Sequence, residues 1–296
     1  MSRFLQATVL GLLEGGLYAL IAVGFSLVWG VMNIVNLAHG AFVVIGAYLA
    51  WELKEQFGID PLMGMVVVAA TLFVAGYLIQ RLLINLVVNA PIWMTLLLTF
   101  GLELLLVNAV LFIATANLRH ISTDYNTASL VLGEVRVPYG QLIAFGVAIV
   151  LTLLLVAFMD RTRTGLAIKS TGMDRGAARL VGINARHIYA VTFGLAAALA
   201  AAAGAMVAMA RPTFSPGDAG RFTLFSFVIS VLGGLGNTWG ALAGGLVLGV
   251  VQAWGGQYLT GTLVNAIAFG ALVLVLIVRP SGLLGKPFYE ARVEAA

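Results

Sequence analysis

The architecture turns on residues 4–51, FLQATVLGLLEGGLYALIAVGFSLVWGVMNIVNLAHGAFVVIGAYLAW. Phe4 to Trp29 is apolar apart from Gln6 and Glu14, and at about 1.5 Å per residue it is long enough to cross a bilayer. It exceeds the apolar core of a signal peptide and no small-x-small cleavage site follows it, so it reads as a retained first span. Gly30 to Asn36 interrupts it with Asn33 and Asn36, and Leu37 to Trp51 then continues apolar. Irregular backbone inside such a run is tolerated at membrane depth only where protein or a water-filled cavity satisfies its N–H and C=O groups.

The rest of the 296-residue chain follows the same logic. It is 61% hydrophobic and 9% charged with mean hydropathy +1.04, whereas soluble domains are about 25% charged. A water-soluble globule is excluded. Further spans are read at Pro61 to Val88, Ile92 to Ala116, Tyr139 to Met159, Ile188 to Met209 and Leu263 to Val278, with Asn117 to Pro138 as a polar loop. Phe222 to Trp254 is too long for one straight crossing. Gly233-Gly234-Leu235-Gly236-Asn237 divides it in two. The expected fold is all-α: one polytopic membrane domain over 1–296, with 8–9 transmembrane segments including broken or re-entrant helices.

One internal echo accompanies this pattern. FSLVWGVMNIVNLAHGA at 25–41 and FSFVISVLGGLGNTWGA at 225–241 share six of seventeen positions. Two broken helices at corresponding places in a duplicated fold point to a transporter's substrate path. With five crossings between them, the repeats would run parallel. Chance likeness between two apolar, glycine-rich segments is the competing reading.

Several chemistries are closed to this chain. It contains no cysteine, and His39, His120 and His187 lie far apart without metal-ligand spacing, so no metal or cofactor is expected. The net charge of +4 has no interleaved basic and aromatic surface behind it, which leaves nucleic acid out. It reads instead as topology in a lipid bilayer. Residues 160–187 carry Arg161, Arg163, Lys169, Arg175, Arg179 and Arg186 against Asp160 and Asp174. That loop is expected in the cytoplasm, together with the tail bearing Arg279, Lys286 and Arg292, and the N-terminus outside.

Polar residues within apolar runs are the candidate path. Glu14 and Glu103 must face protein, pair or take up a proton. They either line a pore or act as glue between helices. Asn33, Asn36 and His39 surround the first break and Asn237 and Trp239 the second. They bind a polar solute or merely satisfy the broken helices. Gly11/Gly15 and Gly245/Gly249 have the spacing of close helix packing. In the basic loop, Asp174 to Val181 is a short amphipathic helix, either lying at the lipid interface or docking into a partner's groove.

Gly16-Leu17-Tyr18-Ala19-Leu20 followed by Gly30-Val31-Met32-Asn33-Ile34-Val35-Asn36-Leu37-Ala38-His39-Gly40 is where the chain becomes similar to a known family. Ala178-Arg179-Leu180-Val181-Gly182-Ile183-Asn184, then Leu232-Gly233-Gly234-Leu235-Gly236-Asn237, and finally Arg279-Pro280-Ser281-Gly282-Leu283-Leu284-Gly285 complete four motifs in order. Together they resemble the permease subunits of branched-chain amino acid ABC importers over essentially the full length. The resemblance implies a bacterial inner-membrane permease paired with a second, homologous permease, two cytoplasmic ATPase subunits and a periplasmic solute-binding protein. It makes Asp174, Arg175, Gly176, Ala177, Ala178, Arg179, Leu180, Gly182, Ile183 and Asn184 the ATPase-coupling segment, and adds Tyr18 to the candidate path. Glycine 176 stands where the wider importer loop has glutamate, and no I-x-L-P follows.

No nucleotide site is expected within the chain. Around Gly285-Lys286, Pro280 and Pro287 occupy positions where a phosphate-binding loop needs glycine and Ser or Thr. The rival cargoes for the same machinery are urea, short amides or aromatic acids, and the rival class is a self-sufficient channel or ion-coupled carrier.

Overall fold

The computed structural model describes residues 2–123, 125, 128–133, 135–258 and 261–285. The readings on Met1, Lys286 and Arg292 therefore lie outside the described residues. Eleven helices are followed here in chain order. They are α1 (Ser2–Met32), α2 (His39–Phe57), α3 (Pro61–Ile79), α4 (Ile92–Ala114), α5 (Tyr139–Arg161), α6 (Arg163–Met173), α7 (Arg175–Leu180), α8 (Ala185–Ala210), α9 (Ala219–Gly233), α10 (Thr238–Tyr258) and α11 (Gly261–Val278). A π-turn over Gln80–Ile84 carries α3 onward to Val87.

Local signals set the ends. Asp60 accepts from the Leu62 amide at 2.9 Å ahead of Pro61, and Thr162, Asp174 and Asn184 cap α6, α7 and α8 in the same manner. Gly58, with φ of +67°, closes α2. The predicted polar loop 117–138 contains a hairpin, β1 (Ser129–Leu132) antiparallel to β2 (Val135–Pro138). Gln6 fastens it by exchanging hydrogen bonds with the Arg136 backbone at 2.6 and 2.7 Å. In the same loop Tyr125 donates to the Asp60 carboxylate at 2.9 Å. Burial, reinforced by that bond, pushes its phenol up.

Among the described residues, six helices are long and apolar enough to cross a membrane by length and composition: α1, α3 with its extension, α4, α5, α8 and α10. α2, α9 and α11 fall outside this criterion, which does not give the predicted 8–9. α1 and α8 form the interior, with 89% and 78% of their most apolar windows buried, against 11% for α4. The outer helices turn Val66, Leu82, Leu97, Leu105, Phe112 and Leu154 outward, as lipid-facing surface requires.

Close backbone contact holds the interior together. A Cβ at Gly204 of α8 would lie 1.9 Å from the Val43 carbonyl of α2, and one at Gly249 of α10 would lie 2.3 Å from the Gly11 carbonyl of α1. Only glycine permits these approaches.

The pairings reveal two related halves. α1 packs most extensively on α10 and α8 on α3; α8 also packs on α2 and α1 on α9, while α1 meets α8 and α2 meets α9. Exchanging α1-α2-α3 with α8-α9-α10 leaves that set unchanged. The halves have opposite orientation: Gly24 meets Ala196 midway along α1 and α8, and Glu14 and Tyr18 reach Arg211 just past the end of α8. The likeness of 25–41 to 225–241 falls outside this exchange, which pairs α1 with α8 rather than with α9. That likeness would align α1, of 31 residues, with α9, of 15 residues, and the two have different neighbours.

Candidate functional site

The break after α1 is a closed structural device. Its backbone is satisfied by two threonines from other helices: Thr99 of α4 accepts from the Leu37 amide at 3.2 Å and donates to the Val35 carbonyl at 3.1 Å. Thr223 of α9 accepts from the Gly40 amide and donates to the Leu37 carbonyl, both at 2.9 Å. His39 is fully buried and donates from Nε2 to the Ile21 carbonyl at 2.8 Å. Asn36 is buried too, with Oδ1 unpartnered. Neither residue lines the two cavities described next.

Both cavities open on one flank, formed by α1, α5 and α9. At the end opposite the basic loop, a cavity of about 340 Å³ is lined by Glu14, Gln141, Arg211 and Arg221 among apolar residues. Glu14 and Arg211 form an ion pair at 2.8 Å, Tyr18 donates to Glu14 at 2.8 Å, and Arg211 also donates to the Tyr18 oxygen at 2.9 Å. The Arg211 guanidinium lies 5.5 Å from the Phe222 ring centroid, and that of Arg221 lies 5.1 Å from Phe225. Aromatic faces favour such a charge in a partly desolvated place.

At the basic end, a cavity of about 870 Å³ is lined by Asn33, Asp160, Lys169, Asn237 and Trp239. Asp160 and Lys169 are ion-paired there. Asn237 caps α10 by accepting from Gly240 at 3.1 Å and donates to the Leu284 carbonyl at 2.7 Å. The segment after α11 is strapped to the same break, with Leu283 and Leu284 donating to Leu232 and Gly233 at 2.8 and 2.9 Å. Between the cavities, Leu224 and Phe227 of α9 remain exposed at helical spacing.

The structure thus gathers Glu14 and Tyr18 at one end and Asn33, Asn237 and Trp239 at the other. Glu103 of α4 stands apart, with an oxygen 3.9 Å from where a Cβ at Gly220 would be. Sequence reading missed Arg211, Arg221 and Gln141. The signal was available: the two arginines close an alanine-rich span and open the next.

The basic loop folds as two short helices rather than one. α6 buries Gly165, Ile168 and Thr171 on one face. α7 realises the predicted amphipathic segment, beginning at the Asp174 cap and ending where Gly182, at φ of +85°, turns the chain. Its buried anchor is Ala178, whereas Met173, Leu180 and Val181 are 86, 90 and 78% exposed. Arg175 hydrogen-bonds Asn89 of the α3–α4 connection and lies 5.3 Å over the Tyr189 ring. Arg179 and Asn184 are exposed beside them.

Apolar helices around a buried interior, one flank carrying two cavities and an apolar elbow at the basic end are the architecture of a polytopic transport permease. The family described as branched-chain amino acid transport system / permease component matches residues 7–278, and the chain belongs to that family. It is 35% identical to the high-affinity branched-chain amino acid transport system permease protein BraD of Pseudomonas aeruginosa, over 97% of this chain and 98% of that protein. LivH of Escherichia coli K12, named likewise, is 31% identical over 97% of each. LivM of the same organism is 26% identical over 90% of this chain and 68% of its own length. No solved structure matches the chain.

Proposed function

We propose that this chain is the membrane subunit of an ATP-driven importer of branched-chain amino acids in the bacterial inner membrane. Near-full-length likeness to permeases named for that cargo carries the reading. Its partners are a second homologous permease, two cytoplasmic ATP-binding subunits and a periplasmic solute-binding protein. Likeness to both LivH and LivM of one organism supports the paired permease. α6 and α7 face the cytoplasm, in keeping with their arginines.

Coupling requires that nucleotide binding favour one conformation of the permease over another. α7 is the element suited to carry that preference. Leu180 and Val181 offer an apolar knob for an ATPase groove, and Arg179 beside them meets acidic groups. The ties from Arg175 to Asn89 and Tyr189 pass a displacement of α7 to α3 and α8. Solute moves along the α1/α5/α9 flank, with the second permease closing its other wall. Glu14 and Tyr18 stand at the outer mouth, and Asn33, Asn237 and Trp239 at the inner one. Asn36, His39 and Glu103 hold the helices that frame it.

The test is uptake by proteoliposomes. The complete complex with ATP is expected to accumulate leucine and not urea, and this chain alone neither. Leucine transport by the chain alone would make it a self-sufficient carrier.

A further inference from the structure

The outer cavity presents complementary groups that no helix-packing role uses up. Two guanidiniums, Arg211 and Arg221, face one carboxylate, Glu14, so the lining carries a net positive charge. Arg211 spends only Nη2 on Glu14 and Tyr18. Among the described residues no other acceptor takes its remaining donors, and a guanidinium has five N–H groups. Arg221 is exposed and meets the Phe225 face. Gln141 also lines the cavity, and its Oε1 is buried without a hydrogen-bond partner, while Glu14 uses Oε1 alone for its bonds. Leu13, Leu17, Ala144 and Ala210 supply the apolar remainder.

From this arrangement we propose that the cavity of about 340 Å³ is a recognition site for the zwitterion of an aliphatic α-amino acid. The carboxylate lies between Arg221 and the free edge of Arg211. The ammonium donates to Glu14 Oε2 and, once the Gln141 side chain turns toward the cavity, to its Oε1, and the side chain rests on the leucines. Both charges are needed, because a buried Gln acceptor left empty costs free energy that a donor removes. A lone anion would leave Gln141 unsatisfied and a lone amine would meet two arginines. The site rests on the importer reading and specifies where the cargo's charged end is received after release from the binding protein. The Glu14–Arg211 pair fixes one guanidinium in advance, so solute binding orders only Arg221.

The chain has no cysteine, so Arg221→Cys introduces a single thiol. In the complete complex with its binding protein, that variant is expected to lose leucine uptake at least tenfold. A thiosulfonate carrying an ammonium should restore much of it, whereas one carrying a sulfonate should not. Saturating leucine is expected to slow modification of the cysteine severalfold, and leucinamide or 4-methylpentanoate to leave the rate unchanged. Gln141→Leu, which keeps the apolar wall, should also lower leucine uptake without altering the amount of assembled complex. Restoration by either reagent alike, or modification unaffected by leucine, overturns the site. Absence of leucine uptake by the unmodified complex instead overturns the importer reading.

Discussion

Thr223 serves two backbone groups with one hydroxyl, accepting from Gly40 and donating to Leu37 in a region that water does not reach. Valine would keep its shape and remove both bonds. Each buried group left unpaired costs about 1–3 kcal/mol, so Thr223→Val, which strips two, is expected to lower the unfolding free energy in detergent by about 2–6 kcal/mol. Thr223→Ser should lose less, since the hydroxyl survives. Unchanged thermal unfolding of the valine variant would mean that the break finds other partners. Glu14 and Arg211 are coupled differently, at the mouth of a cavity. Their side chains are 37 and 17% exposed, and solvent screens the pair, so removing Glu14 as Glu14→Gln should cost about 1–2 kcal/mol rather than the 3–5 of a fully buried pair. The double variant with Arg211→Gln should cost less than the sum of the single ones. Strict additivity would show the two to be uncoupled. Neither threonine, nor the pairing of Glu14 with Arg211, was legible in the sequence. Each contact joins residues on different helices, and nothing in local periodicity registers it.

At the scale of elements, α7 is the part most open to direct attack. Asp174 caps it by accepting from the Gly176 and Ala177 amides at 2.7 and 3.0 Å. Asp174→Ala should therefore weaken the helix by about 1 kcal/mol and reduce ATPase-dependent uptake while leaving membrane insertion intact. Arg179→Glu with Gly182→Pro is expected to release the ATPase altogether, because the first reverses the charge beside the knob and the second breaks the turn that sets it. Co-purification of the ATPase at wild-type yield would defeat a docking role for α7. This helix was readable from sequence because a cap, an apolar pair and arginines lie within eight residues. α6 was not, since its buried face of Gly165, Ile168 and Thr171 has little hydrophobic contrast. The hairpin after α4 was missed for a similar reason: four-residue strands inside a polar stretch look like loop.

For the whole molecule, length and apolarity made the membrane fold legible, and the Gly/Asn interruptions marked where α2 and α10 begin. The relation between halves was hidden. It resides in which helices touch, through alanine and glycine surfaces that have no distinctive residue order, whereas the one visible sequence echo joined segments that are not equivalent. The two cavities lie at opposite ends of the α1/α5/α9 flank, so the side on which α7 lies fixes which end each cavity faces. That sidedness underlies every role assigned above, and the absence of native cysteine makes it directly measurable. Single thiols placed by Arg179→Cys and Thr213→Cys can be exposed to a membrane-impermeant maleimide on sealed, right-side-out cells. Position 213 is expected to be labelled from outside and position 179 only after the membrane is opened; labelling of 179 from outside in intact cells would contradict the account.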